Sequence, residues 1–154
     1  MDKSKLVSSS QVVMTQLVLP SHTNALGTIF GGTVMSWIDI AAAISAQRHC
    51  NHDVVTASID QLNFIAPIKQ GWVVNLKASV NFVSRTSMEV GVRVEAENPK
   101  TSELFHTASA YLTFVALGSD GKPTEVPSLI LQTEVERSRF HAAEKRRAQR
   151  LANR

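Results

Sequence analysis

Little in this 154-residue chain is of the kind that staples, spans or stacks. Cys50 is its one cysteine, so no disulfide can form within the chain, in keeping with a reducing compartment. No run approaches the eighteen apolar residues that would cross a bilayer, and Met1 to Ser10 lacks the apolar core of a secretory signal. The expectation is a cytoplasmic protein with no membrane partner. Aromatic residues make up only 6%, and Phe140 is the sole one in the basic stretch from Glu134 to Arg154. That stretch holds seven basic residues against three acidic ones, leaving the rest of the chain close to neutral despite a net charge of +3. A basic tail with nothing to stack bases on does not make a nucleic-acid face, and no nucleic-acid partner is expected. Metal ligands are missing as well: His49, Cys50 and His52 diverge round a helix end and have no second cluster to complete a site.

What the chain does have is concentrated between Asn24 and Asp39. Three of its seven glycines, Gly27, Gly31 and Gly32, fall within six residues, just ahead of an apolar helical stretch that carries Asp39. A glycine pair opening a helix leaves backbone N–H groups free at the positive end of the macrodipole, where they can hold an oxygen acquiring negative charge. From Gly31 to about Cys50, Ile38, Ala41, Ala42 and Ser45 recur at i, i+3, i+4 and i+7. Apolar or small residues cover nearly the whole circumference, so this helix is expected to be enclosed by the rest of the protein.

Gln11 to Leu19 reads as a strand stopped by Pro20, and after the helix the period is two. In Trp72 to Val83 the residues Trp72, Val74, Leu76, Ala78, Val80 and Phe82 share one face; in Met88 to Glu97 Met88, Val90, Val92, Val94 and Ala96 do. Val54 to Ala66 and Leu104 to Leu117 complete four long strands in sequence, with short connections that make neighbours antiparallel. Such a meander needs a cover for its apolar face, and the helix is the only segment of suitable length. The expected fold is α+β: a curved antiparallel sheet wrapped round one long central helix in residues 1–120, then an extension, 121–154, ending in a basic helix.

The run Asn24-x-x-Gly27-Thr28-x-Phe30-Gly31-Gly32 leading to Trp37-Ile38-Asp39-x-Ala41-Ala42 resembles the hotdog-fold acyl-CoA thioester hydrolases, in the branch that includes the cytosolic acyl-CoA hydrolases. The resemblance continues through Arg48-His49-Cys50, Thr56 to Pro67 with Phe64, and Arg85-Thr86-Ser87-Met88, covering roughly residues 10 to 117. It implies hydrolysis of acyl-CoA to free fatty acid and coenzyme A, with no cofactor besides the coenzyme A of the substrate itself. It also implies a homodimer at minimum, paired across a continuous sheet and often assembled into hexamers as a trimer of dimers. Carried over by position, the residues that look catalytic are Asn24 and Asp39. The residue before the glycine pair varies in the family between His and Phe; Phe30 here removes any imidazole from that point. Gly71-Trp72 stands where the family usually reads Gly-Asp.

Thioester hydrolysis needs an activated water, a cradle for the tetrahedral oxyanion and a grip on the thiol carrier. Asp39 fits the first as general base, or as a nucleophile giving an anhydride, and Asn24 fits the orientation of water or substrate. Backbone N–H groups of Gly31 or Gly32 fit the oxyanion. Phe64 is a candidate to line the pantetheine channel, and Arg85, Thr86 and Ser87, with tail arginines, to bind the coenzyme phosphates. Asp39 lies seven residues beyond Gly32, about 10 Å along one helix, too far for both to touch one carbonyl carbon. If both act on one thioester, they come from different subunits.

Each residue also has a plainer use. Asp39 fits a structural carboxylate, the glycine pair a positive-φ turn, Asn24 an Asx-turn, Arg85 to Ser87 a bare hairpin, and the tail a solvated helix. Two other functions share the fold: a non-catalytic acyl-CoA sensor, and hydratases or dehydratases of acyl thioesters, which normally pair a His with the Asp.

Overall fold

In the computed structural model of the chain, which describes residues 3–153, the period-two runs become the strands of one sheet. The elements are β1 (Lys5–Leu6), a 3-10 turn (Val7–Ser10), β2 (Val12–Leu17), a second 3-10 turn (Pro20–His22), α1 (Gly31–Cys50), β3 (Asp53–Phe64), β4 (Val73–Val83), β5 (Ser87–Asn98), β6 (Glu103–Leu117), β7 (Leu129–Ile130) and α2 (Glu134–Ala152). Five strands pair antiparallel in the order β2-β4-β5-β6-β3. Only β4, β5 and β6 form the expected meander. β3 does not lie beside β4 but crosses to the far edge, because the connection between them is committed elsewhere. In that connection Ile68 O accepts from Ile29 N–H, Gln70 N–H donates to Gly27 O, and Gly71 N–H donates to Val18 O.

The inner face carries the core. Val74, Leu76 and Val80 of β4, Met88, Val90 and Val94 of β5, and Leu112 and Phe114 of β6 close on Ile38, Ala41, Ala42, Ser45 and Ala46 of α1. Each large apolar side chain buried this way contributes about 1.5–3 kcal/mol. Asn51 ends the helix in the left-handed conformation, φ 59°, and its N–H bonds Gln47 O.

Two expectations are corrected by the packing. A bulge between Val80 and Phe82 inserts Asn81 and reverses the alternation, so Phe82 opposes Glu89 on the outer face and its ring meets Phe140 of α2 at 4.8 Å. The helix, for its part, is not enclosed: Gly31, Gly32, Met35, Ser36 and Ile40 are exposed and Asp39 is half-buried. This open stripe borders β3, whose outer edge has no partner strand among the described residues.

The segment after β6 returns to the body. Thr124 N–H bonds Ala116 O, Val126 N–H bonds Arg85 O, Pro127 O meets His49 Nε2 at 2.8 Å, and β7 pairs parallel with β1. α2, capped by Thr133 and Glu136, then lies on the outer face with Ala143 buried. Arg146 forks onto Glu89, Nε to Oε1 and Nη2 to Oε2 both at 2.8 Å, with its guanidinium 3.6 Å above the Tyr111 ring. Arg150 bonds Asp60 at 2.8 Å. Asn81 Nδ2 donates to the same Glu89 at 3.2 Å, lying where a Cβ on Gly91 would come within 2.6 Å of it. The solvated-helix expectation therefore holds for one side of α2, and Arg146 and Arg150 are withdrawn from the candidates for coenzyme phosphate. No helix of the described residues is long and apolar enough to cross a membrane.

Candidate active site

The loop ahead of α1 is folded on itself. Thr23 bridges Ile29, Asn24 N–H donates to Thr28 O, Gly27 takes φ +76° with its N–H on Asn24 O, and Phe30 N–H donates to His22 O at 2.9 Å. His22 holds this arrangement from below, its Nδ1 accepting Leu19 N–H at 3.0 Å and its ring edge-on to Trp37. Asn24 Oδ1 accepts from Leu26 N–H at 2.9 Å and from Thr28 N–H and Oγ1 at 3.2 Å. The Asx-turn is thus present, and it uses the carbonyl end of the amide. The NH2 end donates to none of the described residues and is the end left for a ligand.

Neither Gly31 nor Gly32 has a positive φ, so conformational permission does not account for the pair. Nor does crowding within one chain. A Cβ on Gly31 would meet the Phe64 ring at an ordinary contact distance of 3.6 Å, and nothing stands within 4 Å of that position on Gly32. Thr33 and Val34 N–H groups already share Phe30 O, leaving the first two helical N–H groups, those of Gly31 and Gly32, as orphan donors. Beside them is a cavity of about 300 Å³ lined by Thr28, Ile29, Phe64, Ile65, Pro67 and Ile68.

Asp39 sits two turns further on the same open stripe. Its Oδ1 accepts from Thr56 Oγ1 at 2.8 Å, and no cation pairs with it among the described residues. Residue pattern alone does not mark Thr56; its register on β3, opposite buried Phe114 and therefore facing α1, does. The turn with Arg85, Thr86 and Ser87 lies elsewhere. Ser87 pairs with Val115, two residues from Leu117, which pairs with Asp53 just past the end of α1. Phe64 and Gly31 meet at the other end of the same helix, so one chain brings Phe64 to the glycine pair but not Arg85. The turn itself is built by Ser84 and Ser87, whose hydroxyls are 2.5 Å apart, and by Thr86 O accepting Ala116 N–H; the Arg85 side chain is exposed. Among the described residues no group of three or more His, Cys, Asp or Glu could hold a metal ion. His49 is buried with its Nε2 on Pro127 O, and burial pushes its pKa down from 6.5.

Residues 26–103 match the family model described as thioesterase superfamily. The chain is 42% identical over 160 residues to an uncharacterised acyl-CoA thioester hydrolase of Bacillus subtilis, spanning 98% of this chain and 93% of that protein. It is 39% identical over 150 residues to the cytosolic acyl coenzyme A thioester hydrolase of Rattus norvegicus, of which it spans 39%. Among solved structures, an apo-hexameric acyl-CoA thioesterase superposes with a TM-score of 0.94 at 43% identity, covering 97% of this chain and 96% of that one. The acyl-CoA hydrolase of Staphylococcus aureus, in complex with butyryl coenzyme A, coenzyme A and coenzyme A disulfide, superposes at 0.91 with 38% identity, covering 97% and 92%. That hydrolase has also been solved with an Asn, an Asp and a Thr each replaced by Ala, fifteen and seventeen residues apart. Asn24, Asp39 and Thr56 have the same spacing here. With a matching family model over half of its length and a near full-length relative above 40% identity, this chain belongs to the thioesterase superfamily.

Proposed function

We propose that this protein hydrolyses acyl-CoA thioesters to free carboxylic acid and coenzyme A at sites shared across a two-fold dimer. The observation that carries this is the open stripe of α1. It presents two orphan N–H groups and a carboxylate without a cation about 10 Å apart, beside a twelve-residue edge strand whose outer side has no partner among the described residues. A long apolar edge is normally covered, and two copies of β3 related by a two-fold pair antiparallel. The two α1 helices then run in opposite directions. Asp39 and Thr56 of one protomer approach Asn24, Gly31, Gly32 and Phe64 of the other, and the Arg85 turn arrives at the same end. The hexameric state of the similar thioesterase supports further assembly as a trimer of dimers.

In the reaction, water attacks the thioester carbonyl carbon as Asp39 takes its proton, with Asn24 and Thr56 holding water and carboxylate in place. The oxyanion rests on Gly31 and Gly32 N–H; the C–S bond breaks, and the coenzyme thiolate recovers the proton. Direct attack by Asp39 would instead pass through a mixed anhydride that water then opens. Neither route calls on a cofactor, and the lone buried thiol of Cys50 suits the cytoplasm.

The test is thiol release from acetyl-, hexanoyl- and palmitoyl-CoA. Thiol from none of them, with tight binding retained, replaces the enzyme with a sensor. Mixing inactive Asn24→Ala and Asp39→Ala chains should restore about a quarter of the activity, since half of the dimers are mixed and each has one intact site of two. No recovery overturns the shared site. Arg85→Gln should raise KM for acyl-CoA far more than for a short thioester lacking the nucleotide; equal effects remove Arg85 from phosphate binding.

A further inference from the structure

β3 carries two irregularities in its pairing with β6, one between Thr56 and Ser58 and one between Asp60 and Asn63. Each inserts one residue and so reverses which face the following side chains take. Thr56 opposes core residue Phe114 and faces α1. Ser58 and Asp60 oppose Thr113 and Tyr111, and Asp60 is held by Arg150 of α2 on the other face. Phe64, opposite buried Ala108, faces α1 again and lies against Gly31. In an uninterrupted strand Thr56, Ser58, Asp60 and Phe64 would share one face, because all are separated by even numbers. Phe64 against the glycine pair and Asp60 away from it therefore require a second bulge between them. Gln61 makes it, at φ +52°, a left-handed conformation unusual for a residue other than glycine or asparagine, with Asn63 Nδ2 bracing its carbonyl at 3.0 Å.

We infer that Gln61 is a positioning residue: its left-handed bulge delivers Phe64 to the substrate channel at the helix N-terminus. The substrate role of Phe64 rests on the thioesterase function proposed above. Residues upstream, Thr56 among them, and the whole of α1 keep their faces whatever happens at position 61. Loss of the bulge should thus weaken substrate binding and spare the chemical step.

The experiment compares Gln61→Val, whose branched side chain resists positive φ, with Gln61→Gly and Gln61→Asn, which accept it. Gln61→Val should raise KM for acyl-CoA about tenfold with kcat within about twofold, about 1.4 kcal/mol at constant turnover. Gly and Asn should stay near the parent value. The Gln61→Val, Phe64→Ala double variant should be no worse than Phe64→Ala alone. Equal KM for the Val and Gly variants, a fall in kcat alone, or additive losses in the double variant would each overturn the inference. Should the parent protein release no thiol, the proposed function fails on its own, and coenzyme A affinity by calorimetry takes the place of KM in the same comparison.

Discussion

Asp39, on the helix against the inner face of the sheet, and Glu89, on the outer face of that sheet, are treated in opposite ways. Glu89, with a side chain 2% exposed, is forked by Arg146, touched by Asn81 and shielded by the arginine stacked on Tyr111. Both of its oxygens are spoken for, and the guanidinium is in turn held in its charged form by the Glu89 hydrogen bonds, its pKa raised. Asp39 receives one hydroxyl, from Thr56, and its other oxygen has no partner among the described residues. A carboxylate neutralised by a forked cation fastens a helix; one oriented by a single neutral donor can still accept a proton or attack a carbonyl. The difference lies in partners rather than in residue type.

This contrast can be broken by experiment. The largest effect is expected from Asp39→Asn, which should lower kcat by about 10²–10⁴ and leave the melting temperature unlowered. A variant that keeps most of its activity, or loses its fold, would make Asp39 the same kind of residue as Glu89. Next comes Glu89→Ala. Stranding a largely buried Arg146 should cost about 3–5 kcal/mol by denaturant unfolding, with turnover per folded protomer unchanged. Thr56→Val removes a hydrogen bond to a charged acceptor, worth about 1.5–3 kcal/mol, and should lower kcat by about 10- to 100-fold with Thr56→Ser restoring it.

The smallest concerns pH, at buried His49 near the C-terminal end of the helix. Burial depresses the pKa of His49 below its ordinary 6.5, so above 6.5 both folded and unfolded chains carry a neutral ring and its contribution is fully present. As pH falls below 6.5 the unfolded chain takes the proton first, and stability declines down through the folded value. Denaturant midpoints between pH 7.5 and 5 should fall more for the parent protein than for His49→Gln; parallel curves would remove His49 as the cause.

Periodicity carried the elements well. The helix at 31–50 and the strands at 73–83 and 87–98 follow from local pattern, because a period of 3.6 or 2 in apolar residues is itself the demand to bury one face. The glycine pair and Asp39 stand out in the sequence for a similar reason, since their residue types are unusual in an apolar helix. What failed was phase. Phe82 lies on the other face because Asn81 bulges, Thr56 went unnoticed because its face depends on register with β6, and β3 left the meander because its loop bonds the 18–30 region instead. The tail arginines read as free charge, and only the fold shows that two of them are paired with carboxylates of the sheet.

The amino-acid order alone determined that one buried-faced helix opens on two glycines and carries an acid about two turns later, since helix rise and composition are local quantities. Which side chains meet was settled only in three dimensions. A single inserted strand residue reverses every face beyond it, and the energy that selects a bulge comes from contacts made by distant segments.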